Sequence, residues 1–181
     1  MASHIASLIM EAMNAECCQN FAGPKHTLVD FHRMMTRLVE MEDSQYSYRN
    51  VLAAYTSGGI LAGICVAYDG GKLHQLRRRF YEAALEAFGI DYTGMTDETE
   101  DGEFYIDSLA VSSNFRGKGI ASQLLQATIE RGAEFGIPTV GLLVDKGNPK
   151  AEALYQRLGF VYVNDSTWGG HPMRHLQYKQ N

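Results

Sequence analysis

The sequence predicts a mixed α+β protein of the α/β class, a central sheet flanked by helices. Three observations carry this. Apolar residues recur at helical spacing through the first 41 residues, a glycine-turned hairpin follows, and strand and helix alternate after residue 103.

At the start, Ser3 to about Asn20 places Ile5, Leu8, Ile9, Ala12 and Met13 on one helical face, and Gly23-Pro24 ends the run. A second helix is predicted from about Val29 to Met41 through Phe31, Met34, Met35, Leu38 and Val39, with Asp30 as a cap near its start. Val51–Tyr55 and Ile60–Tyr68 read as a hairpin, because Gly58-Gly59 supplies the positive φ that a tight turn demands. Leu73, Leu76, Phe80, Ala84, Leu85 and Phe88 predict a helix over Lys72–Phe88, stopped by Gly89. Asp91–Gly102 is polar and acidic and reads as a loop.

After it come a strand over Glu103–Val111, a helix over Gly119–Phe135, an apolar strand over Thr139–Val144 and a short helix over Pro149–Leu158 that begins at a proline. Phe160–Val163 and Met173–Tyr178 are read as the last two strands. No repeat, low-complexity tract or proline-rich linker divides the 181 residues, so one domain spanning 1–181 is expected.

Composition narrows the function. The formal net charge of −5 speaks against nucleic acid or an anionic membrane as the main partner, since both reward a basic surface. No apolar run approaches the roughly 18–20 residues of a membrane span, and the short apolar stretch at Ile5–Met10 lacks the flanks of a signal peptide. A cytoplasmic protein is expected. Arg77, Arg78 and Arg79 are read as a solvated helix face. Cys17, Cys18 and Cys65 have neither framework nor metal-ligand spacing and are expected to be reduced. No metal site is expected, and His171 and His175 are read as surface residues.

The chemistry sits in Leu109-Ala110-Val111-Ser112-Ser113-Asn114-Phe115-Arg116-Gly117-Lys118-Gly119-Ile120-Ala121. A strand runs into a loop that opens a helix. Gly117 and Gly119 leave the backbone bare, so its amides can approach a ligand closely. The first amides of the helix have no internal partner, and the helix dipole favours an anion there. The result is a cradle for phosphate or pyrophosphate, with Arg116 and Lys118 adding charge beside it. The bland alternative is an ordinary tight turn. Gly119 after Lys118 excludes a Walker loop, and Ala121-Ser122 breaks the dinucleotide glycine spacing.

This segment resembles the R/Q-x-x-G-x-G/A signature of the GCN5-related N-acetyltransferase (GNAT) family. Asn148-Pro149-Lys150-Ala151-Glu152-Ala153-Leu154-Tyr155-Gln156-Arg157-Leu158-Gly159-Phe160 resembles that family's second signature. The likeness is strongest over Glu103–Phe160, and 72–102 looks like an inserted helix and acidic loop.

The resemblance implies a mostly antiparallel sheet of about seven strands whose fourth and fifth, here Glu103–Val111 and Thr139–Val144, run parallel and splay apart. Acyl-CoA would lie in the opening. The strand Leu109, Ala110 and Val111 would face the pantetheine arm. Amides of Arg116, Gly117, Lys118, Gly119, Ile120, Ala121 and Ser122 would hold the pyrophosphate, with Asn148 near the pantetheine.

The implied activity is acetyl transfer from acetyl-CoA to a small or peptidyl primary amine by direct attack, with Tyr155 as the acid for the leaving thiolate. A non-catalytic acyl-CoA sensor on the same fold is the alternative, and a homodimer is left open. For the base, Asp107 and Glu103 are the candidates, both in phase with Tyr105, Leu109 and Val111 on one strand. The acidic run Asp97, Glu98, Glu100, Asp101 and Glu103 reads either as solvated loop charge or as a rim that steers a cationic amine. Tyr46, Tyr48, Tyr92 and Trp168 are candidate pocket walls.

Overall fold

The computed structural model describes residues 1–180. Asn181, the last residue of the expected domain, lies outside the described residues. The chain opens with α1 (Ala2–Met13), α2 (Ala15–Ala22) and α3 (Leu28–Glu40). The single helix predicted to about Asn20 is thus two. Asn14 breaks it at φ 70°, the only non-glycine residue of positive φ among those described. Its side chain accepts the Cys17 amide at 2.9 Å and so starts α2. At α3 the cap is Thr27. Asp30 closes the capping box from the third helical position: its carboxylate accepts the Thr27 amide at 2.9 Å, and its own amide donates to Thr27 Oγ1 at 3.3 Å.

Six strands form one sheet among the described residues, where about seven were expected: β1 (Val51–Tyr55), β2 (Leu61–Asp69), β3 (Phe104–Val111), β4 (Thr139–Asp145), β5 (Val161–Trp168) and β6 (His171–Lys179). Their order is β1-β2-β3-β4-β6-β5, antiparallel throughout except for the β3–β4 pair. That pair is joined only at Phe104↔Val140, Tyr105↔Gly141 and Ile106↔Leu142. Beyond Ile106 the two strands separate, and β3 keeps β2 as its only ladder partner. The last two strands run longer than the sequence suggests.

The remaining helices are α4 (Leu73–Phe88), α5 (Ile120–Glu134) and α6 (Pro149–Arg157). β2 is buried on both faces, which its alternation distributes. Ile64 and Val66 pack against α1–α4 with Ile9, Phe31, Leu38 and Phe80. Cys65 and Ala67 pack with Leu125 and Ile129 of α5, and with Phe160.

The arginine cluster is not one solvated face. Arg78 and Arg79 are at least partly exposed, but Arg77 is only 1% exposed. It falls four residues after Leu73 and three before Phe80, on the stripe that faces inward. Its guanidinium donates to the carbonyls of Met95 and Thr96 and to the carboxylates of Asp97 (2.6 Å) and Glu98 (3.5 Å). This fastens the 89–103 segment to α4.

Candidate active site

Where β3 leaves β4, a cavity of about 750 Å³ opens. It is walled by β3, the ends of β4 and β5, the turn before α5, α6, and the junction of α1 and α2. Its size suits a small-molecule site, and the carboxyl ends of parallel strands are where α/β sheets commonly bind ligands.

A bulge shapes its floor. Val66 of β2 faces Ser108 and Ala67 faces Ile106, so Asp107 is an extra residue with no partner. The bulge reverses the alternation. Before it, Tyr105 packs toward Tyr68 and Leu73 while Ile106 packs toward α5; after it, Leu109 packs toward α5 and Ala110 toward the amino-terminal helices. Asp107 and Leu109 therefore do not share the phase that the sequence suggested.

Asp107 lines the cavity, and three donors hold its carboxylate. Tyr68 and Gln45 donate to Oδ2 at 2.9 and 3.2 Å, and Ser108 donates to Oδ1 at 2.8 Å. Burial raises its pKa above the usual carboxylate value, and these donors oppose the rise.

Glu103 is placed elsewhere. It does not line the cavity, is 1% exposed, and lies over Gly141 of β4. Its Oε2 takes hydrogen bonds from His175 (2.6 Å) and Gln177 (2.7 Å) of β6. His175 is buried rather than on the surface. Its other ring nitrogen lies 3.7 Å from Glu100, and the hydrogen bond to Glu103 raises its pKa. The three residues bring ligand-type atoms within 4.8 Å of one another, with His175 between the two carboxylates.

The glycine turn precedes α5 at the position expected from the sequence. Gly117 and Gly119 have φ of 74° and 76°, and a β-carbon on either would meet no atom within 4 Å. Gly119 is the N-cap of α5 with no side-chain cap, and no acidic residue follows in the first turn. The leading amides of α5 therefore have neither an internal partner nor a side-chain cap. Arg116, Gly117 and Ala121 line the cavity; Lys118, Gly119, Ile120 and Ser122 complete the same turn beside it. Arg116 Nε donates to the Val111 carbonyl at 3.0 Å and its guanidinium lies 3.5 Å from Glu11. Leu109, Ala110 and Val111 all line the cavity along the unpaired side of β3.

α6 supplies the facing wall. Asn148 caps it by accepting the Ala151 amide at 3.2 Å, with Pro149 in the first turn. One turn and more along, Tyr155 stands edge-on to Phe160, ring centres 5.9 Å apart, and lines the cavity. Burial drives its pKa well above the usual phenol value, so it stays protonated.

Of the other wall candidates, Tyr46 and Trp168 line the cavity. Tyr48 is exposed, and Tyr92 packs on Phe21 and donates to its carbonyl at 2.8 Å. Glu98 is no exposed rim residue: it is 9% exposed and lines the cavity. Burial and then the Asp107 charge raise its pKa. Cys17, Cys18 and Cys65 are buried, and desolvation pushes their thiols up to about 11, 12 and 12, so they are poor nucleophiles.

The sheet and cavity together define a cleft of small-molecule size at the mouth of a parted parallel pair, with the glycine turn on one side. The chain belongs to the acetyltransferase (GNAT) family, whose model matches residues 30–160. It is 25% identical over 174 residues to GCN5-related N-acetyltransferase 4, chloroplastic, of Arabidopsis thaliana, covering 87% of this chain and 60% of that one. It is 26% identical over 94 residues to the spermine/spermidine N(1)-acetyltransferase of Bacillus subtilis strain 168, covering 50% of this chain and 62% of that one. A crystal structure of an acetyltransferase superposes with a TM-score of 0.81 at 26% identity, covering 98% of this chain and 94% of that one. Against the curated relatives the chain matches between 24% and 62% of their length. Among the described residues, no helix is long and apolar enough to cross a membrane.

Proposed function

We propose that this chain transfers the acetyl group of acetyl-CoA to a primary amine, by direct attack of the neutral amine on the thioester, and that the amine belongs to a cationic molecule. One observation carries the reading: a single cavity is lined by the glycine turn, the unpaired side of β3, Tyr155 and Asp107.

The residues fit the donor. Open space over Gly117 and Gly119 and the uncapped start of α5 suit a pyrophosphate, and Arg116, Lys150 and Arg157 add positive charge to that wall. The free edge of β3 suits an extended amide-bearing arm, which would add to it as a strand does. Asn148 keeps its side-chain NH₂ for the same arm while its carbonyl oxygen caps α6.

Asp107 accepts a proton from the incoming ammonium, directly or through one water, because it is a carboxylate raised toward neutrality at the cavity floor. Tyr155 gives its proton to the departing thiolate, because burial keeps the phenol protonated across the working pH range. The acidic side of the cavity, Glu11, Glu98 and Asp107, draws a cation and disfavours an acidic acceptor. We read residues 1–181 as one cytoplasmic N-acetyltransferase domain in which 72–102 is an insertion that completes the acceptor side.

A thermal-shift titration tests the donor site. Acetyl-CoA at a hundred times its Kd adds about 2.7 kcal/mol to the folded state, roughly 5–10 °C in Tm for a chain of this size. NAD is expected to give no shift. Thiol release with a panel of cationic amines then tests turnover. Tyr155→Phe is expected to keep the acetyl-CoA shift and to lower kcat about a hundredfold. No shift at millimolar acetyl-CoA would return the glycines to an ordinary turn, and unchanged kcat in Tyr155→Phe would remove the acid.

A further inference from the structure

Glu98 is a buried cavity carboxylate that neither the glycine turn nor the proton transfers account for. It comes from the 89–103 segment, yet two distant elements hold it. Trp168 of β5 donates to Oε2 at 2.9 Å, and Arg77 of α4 reaches the same oxygen at 3.5 Å. Oε1 takes no hydrogen bond among the described residues and, unlike the sealed Oε1 of Glu103, is open to the cavity that Glu98 lines. A carboxylate oxygen open to a cavity can accept from a ligand there.

Local charge sharpens the point. Arg77 reaches two carboxylates, Asp97 at 2.6 Å and Glu98 at 3.5 Å; Asp97 has His74 at 2.8 Å as a second partner, and Asp107 lines the same cavity as Glu98. Asp107 is already held by three donors, all neutral. The acidic side is therefore short of positive charge. Burial first, and then the charge of Asp107, raise the pKa of Glu98. A second ammonium on the acceptor would supply both the missing donor at Oε1 and the missing charge.

We propose that Glu98 is the specificity-determining residue of this site: it binds a second, non-reacting ammonium group, so that the acceptors are diamines or longer polyamines, the reacting amine going to Asp107 and its far partner to Glu98. This rests on the acetyl-transfer reading above. Glu98 recognises the acceptor without taking part in proton transfer, so its removal should act on KM and leave kcat nearly alone.

The test compares α,ω-diamines of propane to hexane length with alkylamines of matched length, using acetyl-CoA and thiol release, for the wild type and Glu98→Gln. Glutamine keeps an oxygen for Trp168. Acetyl-CoA thermal shift is measured on both proteins to verify the fold and the donor site. The wild type is expected to favour at least one diamine over its matched monoamine by about tenfold or more in kcat/KM, the scale of one charge-assisted hydrogen bond. In Glu98→Gln that preference should vanish through KM, the diamine losing more in kcat/KM than its matched monoamine. Equal use of diamines and monoamines by the wild type, or equal loss of both in Glu98→Gln, would overturn the assignment of Glu98 while leaving acetyl transfer standing. Turnover of no amine by a protein that binds acetyl-CoA would overturn both.

Discussion

At the scale of single residues, the site rests on two groups whose pKa values burial moves in the useful direction. Asp107 is raised by desolvation, and Ser108, Tyr68 and Gln45 keep it from rising further. As a base it works only when ionised. Activity should therefore climb with pH through a point above the usual value of about 3.9 for aspartate, and fall as pH drops through it. Asp107→Asn is expected to lower kcat by about 10²–10⁴ and to remove that limb of the kcat/KM profile, measured with a saturating amine. A limb that survives the substitution would assign it to another group. The proposed acid and base, Tyr155 and Asp107, were legible in the sequence only as residue types on a helix and a strand. Their environments were not. Asp107 is set by Gln45 and Tyr68, 62 and 39 positions away, and no local pattern announces those hydrogen bonds.

At the scale of elements, periodicity read most of the fold and failed where a single residue changes the phase. Asn14 turns one predicted helix into two. The extra residue at Asp107 reverses the β3 alternation, so strict period-two counting wrongly joined Asp107 with Leu109. Counting also set Glu103 and Asp107 together, and the sheet parts them: β4 still covers Glu103, and it has left β3 by Asp107. The close fit at Glu103 yields a prediction. A β-carbon at Gly141 would fall 1.9 Å from Glu103 Cδ, nearer than any non-bonded contact allows. Gly141→Ala must therefore push the carboxylate off His175 and Gln177 or push β4 away from β3. Overpacking and the lost hydrogen bonds together should cost about 3 kcal/mol, roughly 6–12 °C in Tm for a chain of this size. Differential scanning calorimetry would read this directly. A loss under about 1 kcal/mol would mean that the Glu103 side chain finds a second home without cost.

At the scale of the whole molecule, the two halves of the cavity were not equally readable. The proposed donor side is local: β3, the glycine turn, α5, β4 and α6 follow one another within 103–160. The proposed acceptor side is assembled from Asn14, Tyr46, Glu98 and Trp168, which meet only when the chain is folded. Arg77 is central to that assembly, because α4 holds the 89–103 segment through it. Four acceptors, two carbonyls and two carboxylates, converge on its guanidinium. Replacing it by methionine fills much of the volume but strands Glu98 in a buried place without its cation. Breaking a buried pair from one side typically costs 3–5 kcal/mol, far more than an exposed pair is worth. Arg77→Met should therefore lower the urea midpoint, while Arg78→Met, on the solvated face, should leave it within about 0.5 kcal/mol of the wild type. The donor side does not touch Arg77, so acetyl-CoA should still bind Arg77→Met below its lowered Tm, and the damage should fall on acceptor KM. If acetyl-CoA affinity falls as far as amine affinity, the two sides fold as one unit, and Arg77 supports the whole cavity rather than its acceptor wall.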